Sequence, residues 1–209
     1  MIVALAFAAA VTAAPVTAID AERAFIRDAQ TAGQWTAFRK WAADDAVIFT
    51  PQPVNAQATL KDLKDPPVAI SWWPGASYVA CDGSFAVNTG PWVNNGGRSL
   101  GYFTTVWRKT GDSWRWIYDG GDATKTLRAE GGNIKPTTAS CDGKPGEAAA
   151  LAAPAAAGND SGGGQSLDRT LTWSWTVGPK GERHFVARLW TGSAYKDVID
   201  DQVAAPPPQ

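Results

Sequence analysis

Hydrophobic residues follow a helical spacing in the first third of this chain and an alternating spacing after it. Apolar positions three and four residues apart predict amphipathic helices, because such positions share one helix face. We expect Asp20 to cap the first helix and Gly33 to end it. The elements predicted for this part are helices over residues 21–32, 34–43 and 58–64, and a short buried strand over residues 46–50.

Beyond residue 70, four runs of alternating character are separated by turn residues. Alternation predicts half-buried strands, and a cluster such as Asn94-Asn95-Gly96-Gly97 predicts a turn between two of them. The runs cover residues 77–80, 84–92, 99–109 and 113–119. Helices followed by an antiparallel meander indicate a domain of the α+β class.

This order of elements, with three stretches of sequence, resembles the nuclear transport factor 2-like superfamily of cone-shaped domains. Residues 37–49 are similar to that family's helix, Asp and strand, and residues 101–109 and 114–119 look like its last two strands. The resemblance covers about residues 19–122 and implies an α+β cone, with helices packed on a curved antiparallel sheet. The superfamily includes SnoaL-type polyketide cyclases and ketosteroid isomerases, so the resemblance implies a fold and an apolar pocket but no single reaction. It also implies a homodimer through the open face of the sheet.

The second half of the chain has a different character. Residues 123–166, partly rich in Ala, Pro and Gly, are predicted to form a linker. Three further alternating runs, at 171–177, 184–190 and 195–199, predict a three-stranded unit within residues 167–203, followed by a tail at 204–209. Three short strands bury little by themselves, so we expect this unit to dock on the main domain or on a partner.

The chain opens with an apolar stretch, and residues 1–18 are predicted to be a signal peptide with Val16-Thr17-Ala18 as its cleavage site. A disordered Ala-rich arm is the alternative. The stretch is shorter than the roughly 20 residues that span a bilayer, so we expect no stable membrane span and a periplasmic or secreted location. In an exported chain, Cys81 and Cys141 are expected to form a disulfide, with two free thiols as the alternative.

The amino-acid composition argues against several classes of function. The formal net charge of -1 lacks the basic excess that nucleic-acid binding requires, so no nucleic-acid partner is expected. The chain has one histidine, His184, and two separated cysteines, which do not suffice for a metal cluster. Its glycine-rich stretches lack the lysine of a phosphate-binding loop. We therefore expect neither a metal nor another cofactor.

Tryptophan is abundant, with 11 residues. Aromatic walls with few polar groups are typical of sites for small hydrophobic ligands, and the resemblance places such a pocket between helices and sheet. Filling of the core is the alternative, because a large ring buries about 150–250 Å². The candidate ligand-binding residues are Trp35, Trp41, Trp73, Tyr102, Trp107 and Asp119.

Asp119 is the candidate for acid–base chemistry. An enolising isomerase needs a base in an apolar pocket and an oxyanion donor, a role for which Tyr78 and Tyr102 are candidates. Because Asp119 precedes Gly120 and Gly121, we expect its carboxylate to be open to water and too weak a base to turn over cyclic carbonyl compounds. A dry pocket around Asp119 would restore the enzyme hypothesis.

The leading hypothesis from the sequence is an exported protein of unknown specific activity that binds a small hydrophobic molecule. One alternative is an isomerase, dehydratase or cyclase of the same fold. The other is a glycan- or protein-binding module that presents Trp173, Trp175 and Trp190 as a flat aromatic platform.

Overall fold

The fold has three layers: a helical layer, a large β-sheet and a small β-sheet. The structure is a computed structural model, and it describes residues 16–130, 132–143, 145 and 160–207. One hydrophobic core lies between the helices and the large sheet, and a second lies between the two sheets. The chain is therefore of the α+β class, as the sequence predicts.

The helices are α1, Ala18–Ala32, α2, Gln34–Trp41, and α3, Ala56–Leu60. Helix α1 begins earlier than predicted because Thr17, not Asp20, is its cap. The Thr17 hydroxyl accepts the Asp20 N–H, and the Asp20 carboxylate accepts the Thr17 N–H in return, which forms a capping box. Helix α2 ends earlier than predicted because the backbone of Ala42 is extended and leads into a strand.

The large sheet contains the four strands predicted from alternation, as β4 to β7. Its order is β2-β1-β7-β6-β5-β4-β8, with β3 also paired to β5. Pairing within the meander is antiparallel, whereas β1 runs parallel to β7 and β8 parallel to β4. The strands are β1, Ala42–Phe49; β2, Pro53–Asn55; β3, Ser71–Trp72; β4, Ala76–Val79; β5, Phe85–Asn94; β6, Ser99–Thr110; β7, Ser113–Ala123; and β8, Thr137–Thr138.

A β-bulge interrupts β7 and decides which of its side chains face the helices. Trp107 pairs with Trp116, but the next partner of β6, Val106, pairs with Tyr118, so Ile117 is the extra residue. Trp116 therefore packs in the core beneath the helices, Tyr118 faces the small sheet, and Asp119 returns to the helical side. A bulge re-aims the side chains that follow it, and bulges are common beside functional sites.

The small sheet has four strands in the order β12-β11-β10-β9, one more than predicted. The extra strand, β9, falls within the stretch predicted as linker. Its glycines allow it to lie directly against tryptophan rings: a Cβ at Gly162 would stand 2.5 Å from the ring of Trp175. Because glycine has no side chain, the glycines of this strand allow its backbone to pack closely against the rings, and they are not only a sign of flexibility. The strands are β9, Asp160–Gln165; β10, Leu171–Val177; β11, Arg183–Trp190; and β12, Tyr195–Val203.

The small sheet covers the face of the large sheet that lies away from the helices. Its buried residues pack there against Val87, Val106 and Tyr118. The expected homodimer through an open sheet face is therefore wrong for this face, because the same chain already buries it. Any self-association would need another surface.

Two further links connect segments that are distant in the sequence. The Cys81–Cys141 disulfide is present, which confirms the predicted pairing. In addition, Arg128, which follows β7, forms an ion pair with the buried Asp201 of β12, and Asp201 also accepts the Thr104 hydroxyl at 2.7 Å. A buried ion pair of this kind is stabilising only while both partners and their hydrogen bonds are present.

The predicted signal peptide lies mostly at residues 1–15, outside the described part of the chain. Its predicted end does not match the fold, because Thr17 caps α1 and Ala18 is buried at 2 % exposure with its carbonyl accepting the Asn88 amide. Cleavage after Ala18 would remove both interactions. Across the described residues, none of the helices has the length and apolar character needed to cross a membrane.

Candidate functional site

A cavity of about 420 Å³ opens between α2, α3 and the end of the large sheet. Its wall is mainly aromatic and aliphatic, with few polar side chains, which is typical of sites for small organic molecules. The aromatic members are Trp35, Phe38, Phe49, Trp72, Trp92, Tyr102 and Phe103, the aliphatic ones include Ile48, Leu60, Leu63 and Ile70, and the polar ones are Gln34, Thr50, Thr59, Asp119, Asp122 and Arg183.

Three of the six predicted ligand-binding residues line this cavity: Trp35, Tyr102 and Asp119. The other three, Trp41, Trp73 and Trp107, do not. Trp107 is fully buried in the helix–sheet core, and Trp41 is buried with its indole N–H donating to Asp28 at 2.7 Å. For these two, core filling is the correct reading.

Trp73 does not line the cavity, whereas its neighbour Trp72, the last residue of β3, does. Trp72 also packs in the core between the helices and the large sheet. Sequence reasoning missed Phe38, Trp92 and Phe103. The alternation of β6, which places Phe103 on the same face as Trp107, was a signal that could have found Phe103.

Asp119 is the carboxyl group on the inner face of the sheet at this cavity, placed there by the bulge in β7. Its Oδ2 accepts the hydroxyl of Thr105, the residue opposite it on β6, at 2.9 Å. Within the described part of the chain this is the one hydrogen bond to the carboxylate, which leaves Oδ1 available to a molecule in the cavity.

Burial raises the pKa of Asp119 from 3.8 to about 7. The charge of Glu22 adds to this rise, whereas the hydrogen bond from Thr105 lowers the pKa. The apolar surroundings disfavour the charged form. Asp119 is half-buried with a raised pKa, so the expectation of a carboxylate open to water with an ordinary pKa does not fit this site. Gly120 and Gly121 do not open the site, because a Cβ at Gly121 would stand 2.0 Å from the Tyr102 carbonyl oxygen, so the strands approach closely there.

Glu22 of α1 is a second carboxyl group near the cavity, and unlike Asp119 it is fully buried. It has 0 % exposure, and its oxygens accept the indole N–H groups of Trp72 and Trp107, each at 2.8 Å, and the Asn88 amide at 3.3 Å. Burial raises its pKa, although these three donors oppose the shift. The signal for it was its place in the apolar stripe of α1, between Ala18 and Phe25.

Tyr102 lines the cavity, and burial raises its pKa to about 12. The guanidinium of Arg128 covers its ring at 3.5 Å from the ring centroid. Tyr78, the other candidate oxyanion donor, packs instead against the core between the two sheets. Tyr78 and Asp119 are therefore not brought together.

Arg183, the first residue of β11, brings a cationic group from the small sheet into the cavity wall. Sequence reasoning did not single it out, since nothing in the chain order links it to the cone. Conversely, Trp173, Trp175 and Trp190 are buried, at 8 %, 7 % and 9 % exposure. The predicted aromatic platform is therefore wrong, because the small sheet turns the first two of these rings toward the large one.

Comparison with known proteins finds distant likenesses among solved structures. No protein-family model matches the chain, and neither does any curated protein. Among solved structures, it is similar to a "putative aromatic ring hydroxylase" from Novosphingobium aromaticivorans, at 16 % identity over 53 % of this chain and 89 % of that one, with a TM-score of 0.37. It is also similar to a "putative calcium/calmodulin dependent protein kinase II association domain" from Xanthomonas campestris, at 18 % identity over 55 % and 94 % of the two chains, with a TM-score of 0.36. Likenesses this distant carry no argument about activity.

Proposed function

We propose that this chain binds a small hydrophobic molecule in the cavity between its helices and its large sheet. The observation that carries the proposal is the cavity of about 420 Å³, whose mainly aromatic wall includes Asp119, a carboxyl group with one oxygen free to bind a ligand. The apolar wall supplies affinity through burial, and Asp119 supplies a hydrogen bond to a polar group of the ligand.

The ligand suited to such a site has a flat apolar body and an oxygen or hydroxyl group. Aromatic rings meet Trp35, Phe38 and Phe103 face to edge or offset, the arrangements that aromatic pairs prefer. When protonated, Asp119 donates to a carbonyl oxygen, and when ionised it accepts from a hydroxyl. We take 2-acetonaphthone, a bicyclic aromatic ketone, as the test ligand.

The experiment is isothermal titration calorimetry of 2-acetonaphthone into the wild type and two variants. Thr59→Trp adds a large ring at a half-buried position in the cavity wall, and Thr31→Trp adds the same ring at an exposed position of α1 outside the cavity. We expect Thr59→Trp to weaken binding at least about tenfold and Thr31→Trp to leave it unchanged. Absence of binding by the wild type to this ketone and to a panel of cyclic ketones and enones would contradict the proposal, as would undiminished binding by Thr59→Trp.

A second candidate function is general acid–base catalysis on that ligand by Asp119. The observation that favours it is the pKa of about 7, because a catalytic base is most effective when its pKa lies near the working pH. In this reaction ionised Asp119 removes a proton from the carbon beside a carbonyl group, leaving an enolate, and then returns the proton to the same carbon or to another one. The protein would then be an isomerase of carbonyl compounds.

Exchange of the α-proton for deuterium tests this candidate. Wild type and Asp119→Asn are incubated with 2-acetonaphthone and cyclic enones in deuterated buffer, and label is followed by NMR. We expect exchange above background that rises with pH through about 7 and is lost in Asp119→Asn. Equal rates in the two proteins would leave a binding role as the only function proposed for the site.

A further inference from the structure

Arg183 is the one cationic side chain among the described residues that line the cavity, and it comes from the small sheet. The ligand site is thus built from both halves of the chain. Two residues further along β11, Phe185 packs against Tyr118 with ring centroids 4.6 Å apart. Docking of the small sheet on the large one therefore holds the start of β11, and with it Arg183, in the cavity wall.

The Arg183 guanidinium has few partners for a half-buried cation. Its Nη2 donates to the Gly121 carbonyl oxygen at 2.9 Å, and its central carbon stands 5.1 Å from the ring centroid of Phe49. None of the ion pairs in the described residues includes it. A guanidinium has five N–H donors, so most of them remain available to a ligand.

We propose that Arg183 binds the carboxylate of a small aromatic or alicyclic acid whose ring occupies the aromatic part of the cavity. This inference rests on the proposed function and names its ligand class. A half-buried cation without a counter-ion is unfavourable, and a carboxylate from the ligand would provide one. The planar fork of arginine matches the two oxygens of a carboxylate, which gives orientation as well as affinity.

The acidic residues around the cavity define the kind of anion that fits. Asp119 and Asp122 line the same wall, and Asp122 Oδ1 accepts the N–H of Ala123 at 2.8 Å. Two carboxyl groups near the mouth oppose a dianion such as a phosphate ester. A singly charged carboxylate that sits on the Arg183 side is the better match.

The test compares two probes of equal shape, 2-naphthoate and 2-naphthamide, by isothermal titration calorimetry at neutral pH. The probes differ in charge, because naphthoate is ionised and naphthamide is neutral. We expect the wild type to bind naphthoate about tenfold or more tightly than naphthamide. Arg183→Gln should abolish this preference, and Arg183→Lys, which keeps the charge but not the fork, should retain part of it.

Arg188→Gln is the matched control, since Arg188 lies on the same strand but outside the cavity, where it pairs with Asp197. It should keep the full preference. Equal binding of both probes by the wild type, or a preference that survives Arg183→Gln, would overturn the inference while leaving the cavity proposal intact. If neither probe binds and 2-acetonaphthone also fails to bind, both proposals are wrong.

Discussion

Replacing Asp119 by asparagine should make the protein more stable, and increasingly so as the pH rises. Asparagine keeps the size of the side chain and an oxygen that can accept the Thr105 hydroxyl, but it carries no charge to desolvate. The folded protein holds the pKa of Asp119 at about 7, against 3.8 as its ordinary value. The folded state therefore binds a proton more strongly than the unfolded state over that interval.

The sign and size of the effect follow from this difference. Below pH 4 the carboxyl group is protonated in both states and the two proteins should have similar free energies of unfolding. As the pH rises from about 4 to about 7 the wild type loses stability relative to Asp119→Asn, and above about 7 the difference is constant. Full burial would make that difference about 4 kcal/mol, at 1.36 kcal/mol for each pKa unit. Because Asp119 is only half-buried, solvent screening reduces this difference, and we expect about 1–3 kcal/mol.

Urea unfolding at pH 5, 6, 7 and 8, followed by far-UV circular dichroism, measures this difference. Both proteins retain Glu22, whose charge contributes to the raised pKa of Asp119, so the subtraction reports the Asp119 charge together with this interaction. Asp112→Asn, in the exposed turn after β6, reports what loss of a surface carboxylate does to the same measurement. A difference between wild type and Asp119→Asn that does not grow between pH 5 and pH 8 would refute the buried-carboxyl argument, and with it the case for acid–base catalysis.

Three further predictions concern stability and processing. Trp41→Ala should cost about 3–5 kcal/mol in urea melts, because Trp41 is 7 % exposed in the helix–sheet core, and a cost below about 1 kcal/mol would contradict that position. Reduction of the Cys81–Cys141 disulfide should lower stability by up to about 4 kcal/mol, since it closes a loop with a sequence separation of 60; two alkylatable thiols in the native, non-reduced protein would contradict the pairing. We also propose that the chain is exported to a compartment in which disulfides persist, and that its signal peptide is cleaved upstream of Thr17. Intact-mass analysis should show a mature protein that retains Thr17 and lacks Met1. A protein that keeps Met1 would contradict export.

Local pattern was sufficient for most elements of the fold. Alternation located β4 to β7 and the strands β10 to β12, and helical spacing located α1 and α2, because each pattern records which side chains are buried within one element. Errors came where two local signals compete. Thr17 and Asp20 both have side chains that can cap a helix. Thr17 is the cap, because Asp20 serves as its partner in the capping box.

The candidate site was predicted only in part, for a physical reason. Trp35 and Tyr102 line the cavity and Trp41 and Trp107 do not, although all four are aromatic residues of the same helices and strands. Whether an aromatic ring faces a cavity or fills the core depends on which side chains pack against it from other elements. For Trp107 that group is Glu22, 85 residues away along the chain, and no spacing records such a partner.

The sequence by itself determined the α+β class, the order of the main strands, and the cysteine pair that the structure joins. These follow from local periodicity and from chemistry that a residue type carries with it. Only the tertiary structure decided that Asp119 faces an apolar cavity, because one extra residue in β7 reverses the side on which the following residues lie. Only the tertiary structure brought Arg183 to that cavity and buried the tryptophans of the small sheet, because both depend on how two sheets distant in sequence pack together. Burial and charge environment are properties of such packing, and they set the chemistry of the site.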